Sequence, residues 1–316
     1  VNSSSAARVL FLLFVPIVTA ELLTGSTPLY TFFYPTTLLL LLGLYGAGAL
    51  LIRELGLIWN KGWPTVLLLG AAYGVVEEGL DVKSWFNPNF SGLGVLGTYG
   101  RYAGVNLVWA AELTVFHAVF SIAIPIALTG MVFPDAKRTR WLGGKKLWAV
   151  SAVFVLDVTL GLLLWPYLPP VPQYLGALGL VGLLVWVAHR LPRSLSDADE
   201  PSRARGRLLA GVGFLFVSAF FFVVWVLPSL GLPALADISL ILLLAWGAAR
   251  FLMTHKFTDA QVFALISGAT GFLVFISVVT ISIATGSFFV AIAYALGLAF
   301  FGNALRDRER RETGAR

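Results

Sequence analysis

The chain has 316 residues, 58% of them hydrophobic and 12% charged, with a mean hydropathy of +0.87. Soluble domains carry about 25% charge, so the composition excludes a soluble globular protein and points to a polytopic membrane protein. The net charge of +6 then fits basic loops rather than nucleic acid, and the absence of cysteine excludes disulfides and thiolate sites.

A bilayer span takes about 20 apolar residues, and that length predicts an all-α bundle of ten helices: 8–24, 33–52, 63–80, 105–129, 147–165, 174–190, 208–228, 236–253, 261–283 and 286–304. In the first, Arg8, a short apolar run and Val18-Thr19-Ala20 are similar to a cleavable signal peptide. It is expected to be retained as a span. Of the 22 Lys and Arg, only Lys83 and Arg101 fall on one side of this alternation. The positive-inside rule places the basic side, and with it both termini, in the cytoplasm. An integral protein of the cytoplasmic (plasma) membrane is expected, with the lipid bilayer as its first partner.

Three regions follow. Residues 1–190 form an N-terminal bundle rich in polar outliers, 191–207 a polar cytoplasmic linker, and 208–316 blander helices with a basic tail. The tail reads as a topology signal and solvated helix end. The connection 84–106 is different, with Trp85, Phe86, Phe90, Tyr99 and Tyr102 among several glycines. Aromatic residues favour the membrane interface and glycine disfavours regular helix, so either an ordered outer cap or an interfacial aromatic belt is expected.

The third helix carries Glu77, Glu78 and Asp81 at its end. Carboxylates near lipid cost several kcal/mol unless paired, hydrated or protonated. At about 1.5 Å per residue, Glu77 lies about 20 Å into a core about 30 Å thick. Tyr73, Glu77 and Asp81 are spaced to share one face, whereas Glu78 points about 100° away from Glu77, so separate partners are expected for the two glutamates. The fourth helix brings His117, in a stripe with Thr114 and Ser121, and the fifth brings Asp157, both near mid-depth. Consecutive helices are commonly neighbours, which makes Glu77, Glu78, His117 and Asp157 the candidate site.

A Glu and a His facing one space can activate water, with carboxylate as general base and imidazole stabilising developing charge. A second carboxylate can orient the histidine. Glu77 and His117 can equally hold one divalent metal ion, or serve a proton relay in a transporter. The bland alternative is a buried network with Glu77 or Glu78 protonated or paired to Lys83 or Arg101. Elsewhere, Arg53 and Glu54 are read as a structural pair ending the second helix, Glu21 as an interfacial residue or else a member of the carboxylate cluster, and Asp237 as a helix cap. Glu112 falls on another face of the fourth helix. His189 and His255 are read as helix-end and loop residues.

Adjacent glutamates followed by a basic residue and a later intramembrane histidine resemble the CAAX-protease and bacteriocin-processing (CPBP) family of intramembrane proteases, whose motifs read EExxxR, FxxxH and HxxxN or HxxxD. Glu77 and Glu78 match the first pair, which the resemblance makes the water-activating carboxylates. Val82 occupies the Arg position, with Lys83 one place beyond. His117 matches the second motif with Leu113 at its Phe position, and Asp157 matches the end of the third with Val153 at its His position. The stretches around these residues also look like uncharacterised bacterial multispan proteins. The resemblance implies a membrane hydrolase acting on a peptide or lipid. The remaining alternatives are an ion- or proton-coupled secondary transporter, whose two five-helix halves would form an inverted repeat, and a non-catalytic scaffold subunit.

Overall fold

The computed structural model describes residues 5–192, 200–280 and 285–314. Helices make up 78% of the described residues, and the architecture is the expected all-α polytopic bundle. Nine helices among the described residues are long and apolar enough to cross a membrane. They are α1 (Ser5–Leu22), α2 (Pro35–Ile58), α4 (Leu107–Val132), α5 (Gly144–Leu164), α6 (Val171–Arg190), α7 (Gly206–Trp225), α8 (Ala234–Thr254), α9 (Asp259–Val279) and α10 (Ser287–Arg308). The tenth expected helix, α3, is helical throughout 63–81, but Glu77, Glu78 and Asp81 set it apart from the apolar nine.

Packing explains how α3 tolerates that charge. It runs against α4 on one side and α6 on the other. Small residues bring it close: a Cβ on Gly70 would stand 2.9 Å from Ala118 Cα, and one on Gly74 would stand 3.1 Å from Thr114 Cα. Van der Waals packing over small residues is the main source of helix association in lipid, where the hydrophobic effect between helices is lost. The apolar surface is spent on the outside of the bundle. Trp148, Leu163 and Phe300 are each more than three-quarters exposed, as side chains facing lipid tails would be.

Two buried apolar clusters fill the interior. One gathers Leu12, Tyr45, Leu50, Tyr73, Phe116 and Phe120. The other joins Val75, Leu80 and Val108 to the connection 84–106 through Trp85, Phe86, Leu93 and Leu96. That connection is ordered, and it carries a short antiparallel hairpin of β1 (Arg101–Tyr102) and β2 (Val105–Asn106). Asn106 anchors it: its side chain donates to Leu96 O at 2.6 Å and accepts from Trp109 N at 3.0 Å, capping α4.

At the opposite end of α2, Arg53 and Glu54 lie inside the helix, which extends past the expected end at 52. Arg53 pairs with Glu54 at 2.5 Å and donates to Ala136 O and Thr139 O, and its guanidinium lies 3.3 Å from the centre of the Trp141 ring. Glu54 accepts from the backbone N–H of Trp141 and Leu142. The pair thereby fixes the loop between α4 and α5. Of the linker 191–207, residues 193–199 lie outside the described residues. Its end forms β3 (Glu200–Pro201), parallel to β4 (His255–Lys256), and a Thr258–Gln261 capping box starts α9. Two polar contacts join residues on either side of 191–207: Lys137 on the α4–α5 loop pairs with Asp259 of α9 at 2.6 Å, and Ser277 donates to Leu23 O.

Candidate functional site

Four helices widen into π-helical turns: Val18–Leu22 in α1, Leu42–Gly46 in α2, Val76–Asp81 in α3 and His117–Ala123 in α4. Such turns bond i to i+5, accommodate an extra residue and often mark functional sites. Glu21, Tyr45, Glu77, Glu78, His117 and Ser121 all lie on them. Together these residues form one polar cluster between the two apolar ones.

His117 is its centre. Its Nε2 lies 3.2 Å from Glu78 Oε1, and its Nδ1 lies 2.8 Å from Ser121 Oγ and 3.0 Å from Glu77 Oε2. Glu77, Glu78 and His117 are 2%, 9% and 3% exposed. The expectation of separate partners holds for the hydroxyls behind the two glutamates but not for His117, which both glutamates reach, one at each ring nitrogen. Two side chains offset around the helix can flank one ring placed between them, so the angular offset does not separate them. Each glutamate is also held from behind. Tyr45 OH hydrogen-bonds Glu77 Oε1, and Ser84 Oγ donates to Glu78 Oε2 while accepting from Trp109 Nε1 at 3.0 Å. Ser84 belongs to the 84–106 connection, so the aromatic loop contributes directly to the cluster.

Glu21 takes the second of its two expected places and joins the cluster: Tyr45 OH also hydrogen-bonds Glu21 Oε1, and Thr27 Oγ1 donates to its other oxygen at 2.6 Å. Tyr45 thereby links Glu21 and Glu77 into one hydrogen-bonded unit.

Asp157 stands apart. It packs against Gly43 of α2, and its electrostatic neighbour is Asp81. Asp81 itself fits over Gly161, where any Cβ would overlap its carboxylate. Asp157 and Gly161 are one turn apart on α5, so that face meets α2 and the end of α3 rather than His117. The donor atoms that come together are those of Glu77, Glu78 and His117, all within 4.8 Å of one another.

The basic residues considered as partners for the glutamates are engaged elsewhere. Lys83, at φ +61°, is fully buried and donates to Gly161 O, Leu162 O and Trp165 O at 2.8–3.4 Å. It thus closes the C-terminus of α5, where a cation is favoured by the helix dipole. Burial lowers its pKa, and nearby Asp81 opposes that shift. Arg101 donates to Phe86 O and Gly104 O, both at 3.1 Å. Glu112, with Glu78 and His117 among its electrostatic neighbours, accepts from Trp225 Nε1 at 3.2 Å. Asp237 lies in the first turn of α8, where Pro233 is the capping residue, so it is not the expected N-cap. His189 meets Trp59 edge-on at 4.9 Å, and His255 stays beside Thr254 and Phe251.

Sequence reasoning missed Tyr45, Ser84 and Trp109 as members of the cluster. Tyr45 interrupts a run of Leu, Gly and Ala with a polar hydroxyl, and that was the available signal. Comparison with curated proteins and with solved structures returned no match. A family model described as an uncharacterized membrane protein family matches residues 10–310, and the chain belongs to that family.

Proposed function

We propose that this integral membrane protein is an intramembrane hydrolase whose centre is Glu77, Glu78 and His117. The observation that carries the reading is a buried imidazole flanked by two carboxylates, each with its second oxygen held by a hydroxyl. In this arrangement one glutamate takes a proton from water as the water attacks a carbonyl or ester carbon. His117 stabilises the developing negative charge and returns a proton to the leaving group. Tyr45 and Ser84 keep the two carboxylates oriented, so little reorganisation accompanies the reaction. The same glutamates and histidine carry the resemblance to CPBP proteases. The parts of that resemblance resting on Lys83 and Asp157 do not transfer, since neither contacts the imidazole. A membrane peptide or lipid is the substrate class that can reach a site at this depth, and the positive-inside pattern supports residence in the cytoplasmic membrane.

A second reading draws on the unit Glu21–Tyr45–Glu77. A hydrogen-bonded line of titratable groups inside a bundle suits a proton-coupled transporter. The test separates the two. Membranes from cells expressing wild type and Glu77→Gln are compared by peptide and lipid mass spectrometry. The hydrolase reading expects a substrate that accumulates in the variant and a shorter product that disappears, with the variant still folded and abundant. Unchanged covalent composition, combined with Glu77-dependent proton uptake into vesicles, would decide for transport.

A further inference from the structure

The electrostatics of the cluster leave a question open: what neutralises two buried glutamates? Among the described ion pairs, none joins a Lys or Arg to Glu77 or Glu78. Lys83 and Arg101 are committed to backbone carbonyls. The structure offers His117 alone, with both ring nitrogens near carboxylate oxygens.

The spacing of the donors suggests an answer. Two ligands about 2.0–2.1 Å from a tetrahedral zinc ion stand about 3.3 Å apart, and His117 Nε2 lies 3.2 Å from Glu78 Oε1. Glu77 Oε2 is buried and lies 3.0 Å from Nδ1 of the same ring, and the three candidate donor atoms fall within 4.8 Å of one another. The surrounding contacts are those that orient metal ligands. Ser121 lies on Nδ1, which leaves Nε2, beside Glu78, as the coordinating nitrogen with Glu77 reaching in from the Nδ1 side, and the oxygens of the glutamates turned away from the ring are held by Tyr45 and Ser84. Two carboxylates, a neutral imidazole and a dication sum to zero charge, which suits an apolar interior. One nitrogen and two oxygen donors suit zinc better than calcium or magnesium, which take all-oxygen sites.

We infer that Glu77, Glu78 and His117 bind one divalent transition-metal ion of the zinc class. The use of that ion rests on the hydrolase reading, where it would supply Lewis-acid activation of water and stabilise the developing charge in place of His117, the glutamate that takes the water's proton delivering it to the leaving group. Its binding does not depend on that reading.

The test uses the full chain purified in detergent, stripped with chelator, and dialysed against buffered zinc with magnesium in excess. Metal analysis should return about one zinc per chain. Glu77→Gln, Glu78→Gln and His117→Gln, each checked for helix content and monodispersity, should fall to background. Asp259→Asn, on the surface, should retain full binding. Ser84→Ala keeps all three ligands and should weaken zinc about 10–100-fold. Cobalt in place of zinc should give a visible absorption band that disappears in His117→Gln. Absence of zinc binding by the wild type would overturn the inference, as would binding that persists in all three ligand variants. If ligand variants fail to fold, the Ser84→Ala shift and the wild-type cobalt spectrum decide. A chain that binds no zinc yet shows Glu77-dependent turnover loses the metal and keeps the hydrolase reading. One that binds zinc without turnover does the reverse.

Discussion

Glu77 and Glu78 illustrate how far single residues can be read from sequence. Their chemistry was legible, because adjacent carboxylates in a chain with only sixteen Asp and Glu need an explanation. Their geometry was not. Helix periodicity sends them to different faces, yet His117 stands between those faces and receives Glu77 at one ring nitrogen and Glu78 at the other. Asp157 makes a related point: equal depth says nothing about lateral direction, and its face of α5 is turned to Gly43 and Asp81. Tyr45 gives the residue-scale prediction. Tyr45→Phe removes the hydroxyl that bridges Glu21 and Glu77 and leaves buried carboxyl oxygens unpaired, at a cost of about 1–3 kcal/mol. Thermal unfolding in detergent should show a lower midpoint for this variant. An unchanged midpoint would mean that the bridge contributes nothing.

At the scale of elements, the contact between α3 and α4 positions the cluster. Gly70 and Gly74 let the helix backbones approach, and a Cβ on Gly74 would also stand 3.2 Å from His117 Cβ. Gly74→Val should therefore displace His117 from the glutamates and cost about 1–3 kcal/mol through overpacking. Loss of zinc binding together with lowered stability is the expected result, and a variant that binds zinc like wild type would argue against this account. The pairing of Arg53 with Glu54 was legible as structural from its position near a helix end, though its partners on the α4–α5 loop were not. Removing one member of a buried pair leaves the other uncompensated, typically at about 3–5 kcal/mol. Arg53 is 6% exposed and Glu54 0%. Arg53→Ala should accordingly unfold at a much lower temperature, and a small change would show that backbone donors alone satisfy Glu54.

For the whole molecule, composition alone identified the bundle, since long apolar runs leave few alternatives. It did not reveal that α3 is enclosed by α4 and α6, which is what permits three carboxylates on one helix. Enclosure also bears on topology: with α3 crossing, the termini share a side, and without it they do not. The cysteine-free chain suits single-cysteine mapping. Ser5→Cys, Arg138→Cys and Asp307→Cys should resist an impermeant maleimide in intact cells, while Asn89→Cys should react. Opposite behaviour at Ser5 and Asp307 would remove α3 from the spans.

The central claim is that the carboxylates around His117 drive attack by water. Purified wild-type protein and Glu77→Gln can each be incubated in heavy-oxygen water with membranes from cells carrying the variant, where uncleaved substrate accumulates. Mass spectrometry of the released peptides and lipids then reports every new bond to solvent oxygen, whatever the substrate. The account predicts heavy oxygen in a defined product with wild type and none above background with Glu77→Gln; equal incorporation in both, or none in either, would contradict it.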